Sequence, residues 1–156
     1  MTKEKQSQQK HMVRGDSTSR MLYDNVLVSL SKDTPIEIIV EGGCRHLSEN
    51  GELLLVFVIE IPSQLPYIYA DTQVSGAKDL LDRGLQIAIK RNIKVSPLII
   101  STRDFVSAIA ETAVTYKSQL IVLGKRRRTL LEKVFLSDIS VKLKKKTGID
   151  VIVSIN

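Results

Sequence analysis

The chain has 156 residues, 43% hydrophobic and 26% charged, the composition of one ordinary globular domain large enough to bury its own core. A single cysteine, Cys44, excludes an intrachain disulfide and fits a reducing compartment; two histidines and no clustered carboxylates leave no transition-metal site to expect. Net charge is +6, yet aromatics are only 4% and none interleave with the basic runs, so nucleic acid is not the expected partner.

Residues 1 to 21 are polar and aperiodic, with Lys3, Lys5, Lys10, Arg14 and Arg20, and are expected to form a disordered basic tail or linker ahead of a domain over 22–156. Its opening, MTKEKQSQQK, lacks the apolar stretch of a secretory signal, and no later run approaches the roughly 18 apolar residues that span a bilayer. A cytoplasmic location is expected, or the cytosolic face of a membrane as part of a larger protein. Arg14-Gly15-Asp16 is an adhesion tripeptide in exported proteins; without an export signal, chance explains it.

From Tyr23 the pattern changes. Asn25 to Leu30 is a short apolar run that reads as a buried strand. Ser31 to Pro35 supplies a helix start, and a helix from about 35 to 47 turns Ile36, Ile39, Val40 and Leu47 inward. Gly42-Gly43 weakens that helix, because each glycine costs about 1 kcal/mol in a helix interior. Asn50-Gly51 marks a turn, and Glu52 to Ile59 is the strongest strand, apolar on both faces as a central parallel strand must be. Pro62 to Tyr69 reads as a loop, and about 72 to 91 as a helix with Ala77, Leu80, Leu81, Leu85, Ala88 and Ile89 on one stripe. Val95 to Ile100 is a third strand, Asp104 caps the following helix, and Gln119 to Leu123 is a fourth strand ending at Gly124. Residues 129 to 146 read as helical and Asp150 to Ile155 as a final strand.

The order is βαβαβαβαβ. Such alternation forces parallel pairing with right-handed crossovers, giving a three-layer α/β/α fold around a five-stranded sheet. In these sheets ligands bind beyond the carboxyl ends of the strands, where strand order reverses. The loops after strands one, two and four therefore hold any site.

Several local runs carry a resemblance. Tyr23-Asp24-Asn25-Val26-Leu27-Val28 resembles the opening strand of universal stress proteins, and Leu53 to Pro62 their second strand and its exit. Gln119 to Gly124 is similar to their fourth strand, and Asp150-Val151-Ile152-Val153 to their closing one. The resemblance covers about residues 22 to 155 and implies the fold just described, of the adenine nucleotide alpha hydrolase-like kind.

It also implies a site. Family members that bind ATP carry Gly-x2-Gly-x9-Gly-[Ser/Thr] after strand four, where small residues let backbone N–H groups approach phosphate. Here Gly124 matches the first glycine, while Arg127, Ser137 and Asp138 stand at the second, third and hydroxyl positions. The family's acidic residue after strand one is replaced by Ser31, with Lys32 in place of the usual glycine, and Val58 stands where members offer backbone groups to adenine. By that resemblance a side chain at Arg127 is expected to occupy the phosphate path, and Asp138 to place negative charge beside a polyanion.

Two readings follow. In the first, kept as the principal one, the pocket has degenerated, no cofactor is bound and the domain is a regulatory scaffold. In the second, Lys32 and the run Lys125-Arg126-Arg127-Arg128 rebuild the site for another anion such as AMP, a cyclic nucleotide or a cyclic dinucleotide. Ordinary ATP binding remains as a third. No nucleophile, paired-carboxylate or full phosphate-loop pattern is present, so no enzyme is expected. His46 has no acid or nucleophile at useful spacing, and Cys44 reads as a half-buried filler. The final strand, with Val151, Val153 and Ile155, lies at a sheet edge and is expected to pair with a second copy of the chain. The basic tail also suits a juxtamembrane linker, so a membrane transporter fusion or another protein partner is the alternative context.

Overall fold

The apolar runs at Asn25–Leu30, Leu53–Ile59 and Leu120–Leu123 become strands whose side chains are buried on both faces of a sheet. The structure, a computed structural model, describes residues 11–13, 20–32, 34–124 and 130–154. After β1 (His11–Val13) come β2 (Arg20–Leu30), β3 (Leu47–Glu60), β4 (Lys94–Thr102), β5 (Leu120–Gly124) and β6 (Asp150–Ser154). The last five form a parallel sheet in the order β4-β3-β2-β5-β6. Helices α1 (Ile36–Cys44), α2 (Val74–Lys90), α3 (Phe105–Thr115) and α4 (Leu130–Thr147) make the crossovers, with a 3-10 turn at Tyr67–Thr72 leading into α2. The chain runs outward from β2 through β3 to β4, then returns to build β5 and β6 on the other side. The order thus reverses between β2 and β5.

Strand alternation divides the interior into two cores. Val26, Val28, Leu53, Leu55 and Val122 face α1 and α2, where Ile39, Val40 and Leu81 meet them. Leu27, Leu54, Val56, Ile121 and Leu123 face the other side, against Ile109 and Ala113 of α3 and Leu143 of α4. Full burial of each such side chain contributes about 1.5–3 kcal/mol, which fixes the register of every strand.

The glycines of α1 have a use that helix propensity does not reveal. A Cβ on Gly43 would stand 2.5 Å from Val28 Cγ2 and 3.1 Å from Leu53 Cδ1, so the helix lies against the sheet only because that atom is missing. Asn50-Gly51 is not a turn. β3 already begins at Leu47, and between the pairs Tyr23↔Leu47 and Asn25↔Glu52 its register shifts. There Gly51 passes so close that a Cβ would sit 3.1 Å from the carbonyl oxygens of Tyr23 and Asp24. Helix α1 correspondingly stops at Cys44 rather than 47.

The structure also departs from the reading of residues 1–21 as a structureless tail. His11–Val13 pairs antiparallel with Arg20–Leu22, and β2 starts at Arg20. A polar average over twenty residues conceals two short runs, His11-Met12-Val13 and Met21-Leu22, able to form a ladder. Among the described residues no helix is long and apolar enough to cross a membrane.

Candidate functional site

The topological switch point opens into a cleft of about 340 Å³ at the carboxyl ends of β2, β3 and β5. Ser31 and Lys32 reach it from the β2 exit, Val58 and Glu60 from the end of β3, and Gly124 from the end of β5. Four of the residues singled out from sequence, Ser31, Lys32, Val58 and Gly124, therefore line one cavity although they are far apart in the chain.

The other three behave differently. Arg127 lies outside the described residues, and Ser137 lies in α4 at a position whose side chain is not described. Asp138 is exposed and pairs with Lys142 one turn on, at 3.1 Å. It is not among the described residues that line the cleft; its neighbour Ile139 is.

Gly124 proves to be needed for packing. A Cβ there would stand 2.8 Å from Ile39 Cδ1 and 2.9 Å from Thr34 Oγ1. The glycine lets the start of α1 close over the end of β5, which shapes the cleft floor whether or not backbone amides meet a ligand.

Sequence reading missed the cleft's aromatic walls, Phe57, Tyr69 and Phe105, and the amide of Gln73. Tyr69 and Gln73 belong to the connection between β3 and α2, read as loop and helix start with no site in view. That connection is held in place by Arg103, the residue that follows β4. Arg103 donates from Nη1 to the Pro62 carbonyl at 2.6 Å and from Nη2 to the Leu65 carbonyl at 2.7 Å, and its guanidinium stacks 4.4 Å from the Tyr67 ring centroid. Pro62 itself lines the cleft.

Asp104 is the expected cap of α3. Its Oδ1 accepts from the Ser107 backbone N–H at 3.2 Å, and Ser107 Oγ donates to Oδ2 at 2.7 Å. These bonds hold its carboxyl below the usual aspartate range. Cys44 is half-buried, and burial pushes its thiol up, away from the reactive thiolate. Among the described residues no group of three metal-ligating side chains converges. Among the described residues the cleft is lined by aromatic faces, the Gln73 amide, the Ser29 and Ser31 hydroxyls, Lys32 and Glu60.

Residues 23–154 match the universal stress protein family, and the chain belongs to it. A universal stress protein from Lactobacillus plantarum has the same fold, with a TM-score of 0.66 at 18% identity over 86% of this chain and 99% of that one. An Arabidopsis thaliana family protein with AMP bound gives 0.60 at 16% identity over 84% and 90%. The Archaeoglobus fulgidus universal stress protein in complex with dAMP gives 0.57 at 14% over 85% and 98%. The chain has no sequence match among curated proteins.

Proposed function

We propose that this domain is a regulatory, non-catalytic module of the universal stress protein family whose cleft takes a nucleoside monophosphate in preference to ATP. The observation that carries the reading is the convergence of Ser31, Lys32, Val58 and Gly124 on one cavity at the switch point of the sheet. At about 340 Å³ the cavity stands at the small end of the usual range for ligand sites, roughly 300–1,000 Å³. Its aromatic walls suit a base, and relatives of the same fold hold AMP and dAMP. The departures at Arg127, Ser137 and Asp138 remove the small residues with which ATP-binding members cradle a polyphosphate.

Calorimetric titration of nucleotide-free protein with AMP, ATP and cyclic di-AMP tests this. Binding of AMP about tenfold or more tighter than ATP is expected. ATP binding as tight as AMP would restore an ordinary ATP site, and no heat from any of the three would return the domain to a scaffold.

A second reading concerns assembly and rests on the two sheet edges. β4 carries Pro97, which cannot donate to a ladder, and Lys94 at its start. β6 carries Val151, Ile152 and Val153, half-buried, with no proline or lysine among its residues. Ile155, also expected at that edge, lies outside the described residues. An apolar, unbroken edge favours a second copy of the chain there. Sedimentation should give a dimer mass for the wild type and a monomer for Val153→Lys; an unchanged mass would remove β6 from the interface.

A further inference from the structure

Lys32 reaches from the end of β2 toward the start of α2, where its Nζ donates to Gln73 Oε1 at 3.0 Å. The amide that receives it is itself oriented. Gln73 Nε2 donates to Thr72 Oγ1 at 3.1 Å, and Thr72 Oγ1 donates to the Tyr69 carbonyl at 2.6 Å. Donation runs one way along this chain, from Gln73 through Thr72 to Tyr69, which leaves the amide oxygen as the end that meets the lysine. Lys32, Gln73 and Tyr69 all line the cleft. An ammonium has three N–H donors, and the bond to Gln73 uses one, so it can hold a second acceptor without leaving its partner. A lysine on a loop ordinarily loses rotamer freedom when it grips an anion; here a neutral amide has restrained it beforehand without neutralising its charge.

We propose that Lys32 binds the phosphate of a nucleoside monophosphate in this cleft and that Gln73 is its positioning residue. The inference rests on the nucleotide reading above. It replaces a loop of small residues, whose backbone amides surround several phosphates, with one held point charge suited to a single phosphate.

AMP and adenosine share base and ribose and differ by the phosphate, so their affinity ratio isolates the phosphate contact. Calorimetry on the full chain is expected to give AMP at least about tenfold tighter than adenosine, with a gap that shrinks as salt rises. Lys32→Ala should bring AMP to the adenosine level while adenosine stays unchanged, and Lys32→Arg should keep most of the gap. Gln73→Ala should narrow the gap about threefold without touching adenosine; a purely structural role would weaken both ligands together. AMP affinity that survives Lys32→Ala, or that falls only in Arg127→Ala, overturns the assignment and leaves the nucleotide reading standing. Failure of wild-type protein to bind either ligand overturns both.

Discussion

The two ends of the sheet are built to opposite purposes. At the amino ends of the strands, polar groups are joined to one another. Tyr23 at the start of β2 donates to Asp150 Oδ2 at 2.9 Å, and Lys144 from α4 holds Oδ1 of the same carboxylate at 2.8 Å. Ser48 donates to Asp24 at 2.5 Å, and the side-chain oxygen of Gln119 accepts from the backbone of both Asp24 and Asn25, at 2.7 and 3.2 Å. These bonds tie β2, β3, β5 and β6 together across long sequence separations. At the carboxyl ends the same strands stop short around a cleft. One end joins the strands to one another, and the other opens the cleft.

The largest test of that contrast is Gly124→Val. A branched side chain would be driven into Ile39 and Thr34, so a loss of about 2–3 kcal/mol in denaturant unfolding is expected, with nucleotide binding abolished. A valine tolerated without loss of stability or binding would show that the close approach of α1 to β5 does not shape the site.

Tyr23→Phe sharpens the comparison from the other end. It should cost about 1.5 kcal/mol, because a hydrogen bond to a carboxylate is lost while Asp150 keeps Lys144, and AMP affinity should not change. Burial, and then the bond to Asp150, push the Tyr23 hydroxyl up from 10.0 to about 12. The raised value means that its contribution is complete below pH 10 and is lost as pH climbs from 10 toward about 12. Wild type should therefore lose more stability than Tyr23→Phe across that window; parallel alkaline curves would contradict the assignment.

A smaller effect belongs to a single charge. Asp138→Ala should change stability by about 0.5 kcal/mol or less, since it breaks one exposed pair on α4, and should leave AMP binding intact. A marked gain in ATP affinity there instead would put its carboxylate beside the phosphates after all.

Much of this was legible in the sequence because parallel strands buried on both faces leave long apolar runs, and because the strand-end rule directs attention to a few loops. The rule gave the loops, and the resemblance to universal stress proteins picked out Ser31, Lys32, Val58 and Gly124 within or beside them. Tyr69, Gln73 and Phe105 were not picked out, since nothing local to them signals that the β3–α2 connection and the start of α3 fold back over the strand ends. Gly43 and Gly51 were misjudged for a related reason. Propensity prices a glycine by its own backbone, whereas here the neighbouring Val28 side chain and the Tyr23 and Asp24 carbonyls require it.

The central claim, that ligand recognition belongs to one end of the sheet alone, is tested most directly by amide chemical shifts recorded while AMP is added. Perturbations should gather at Leu30 to Lys32, Phe57 to Glu60, Tyr69 to Gln73 and Leu123-Gly124, with Tyr23 to Asn25, Ser48 and Asp150 undisturbed. Shifts centred on the amino-end residues, or none anywhere at saturating AMP, would contradict it.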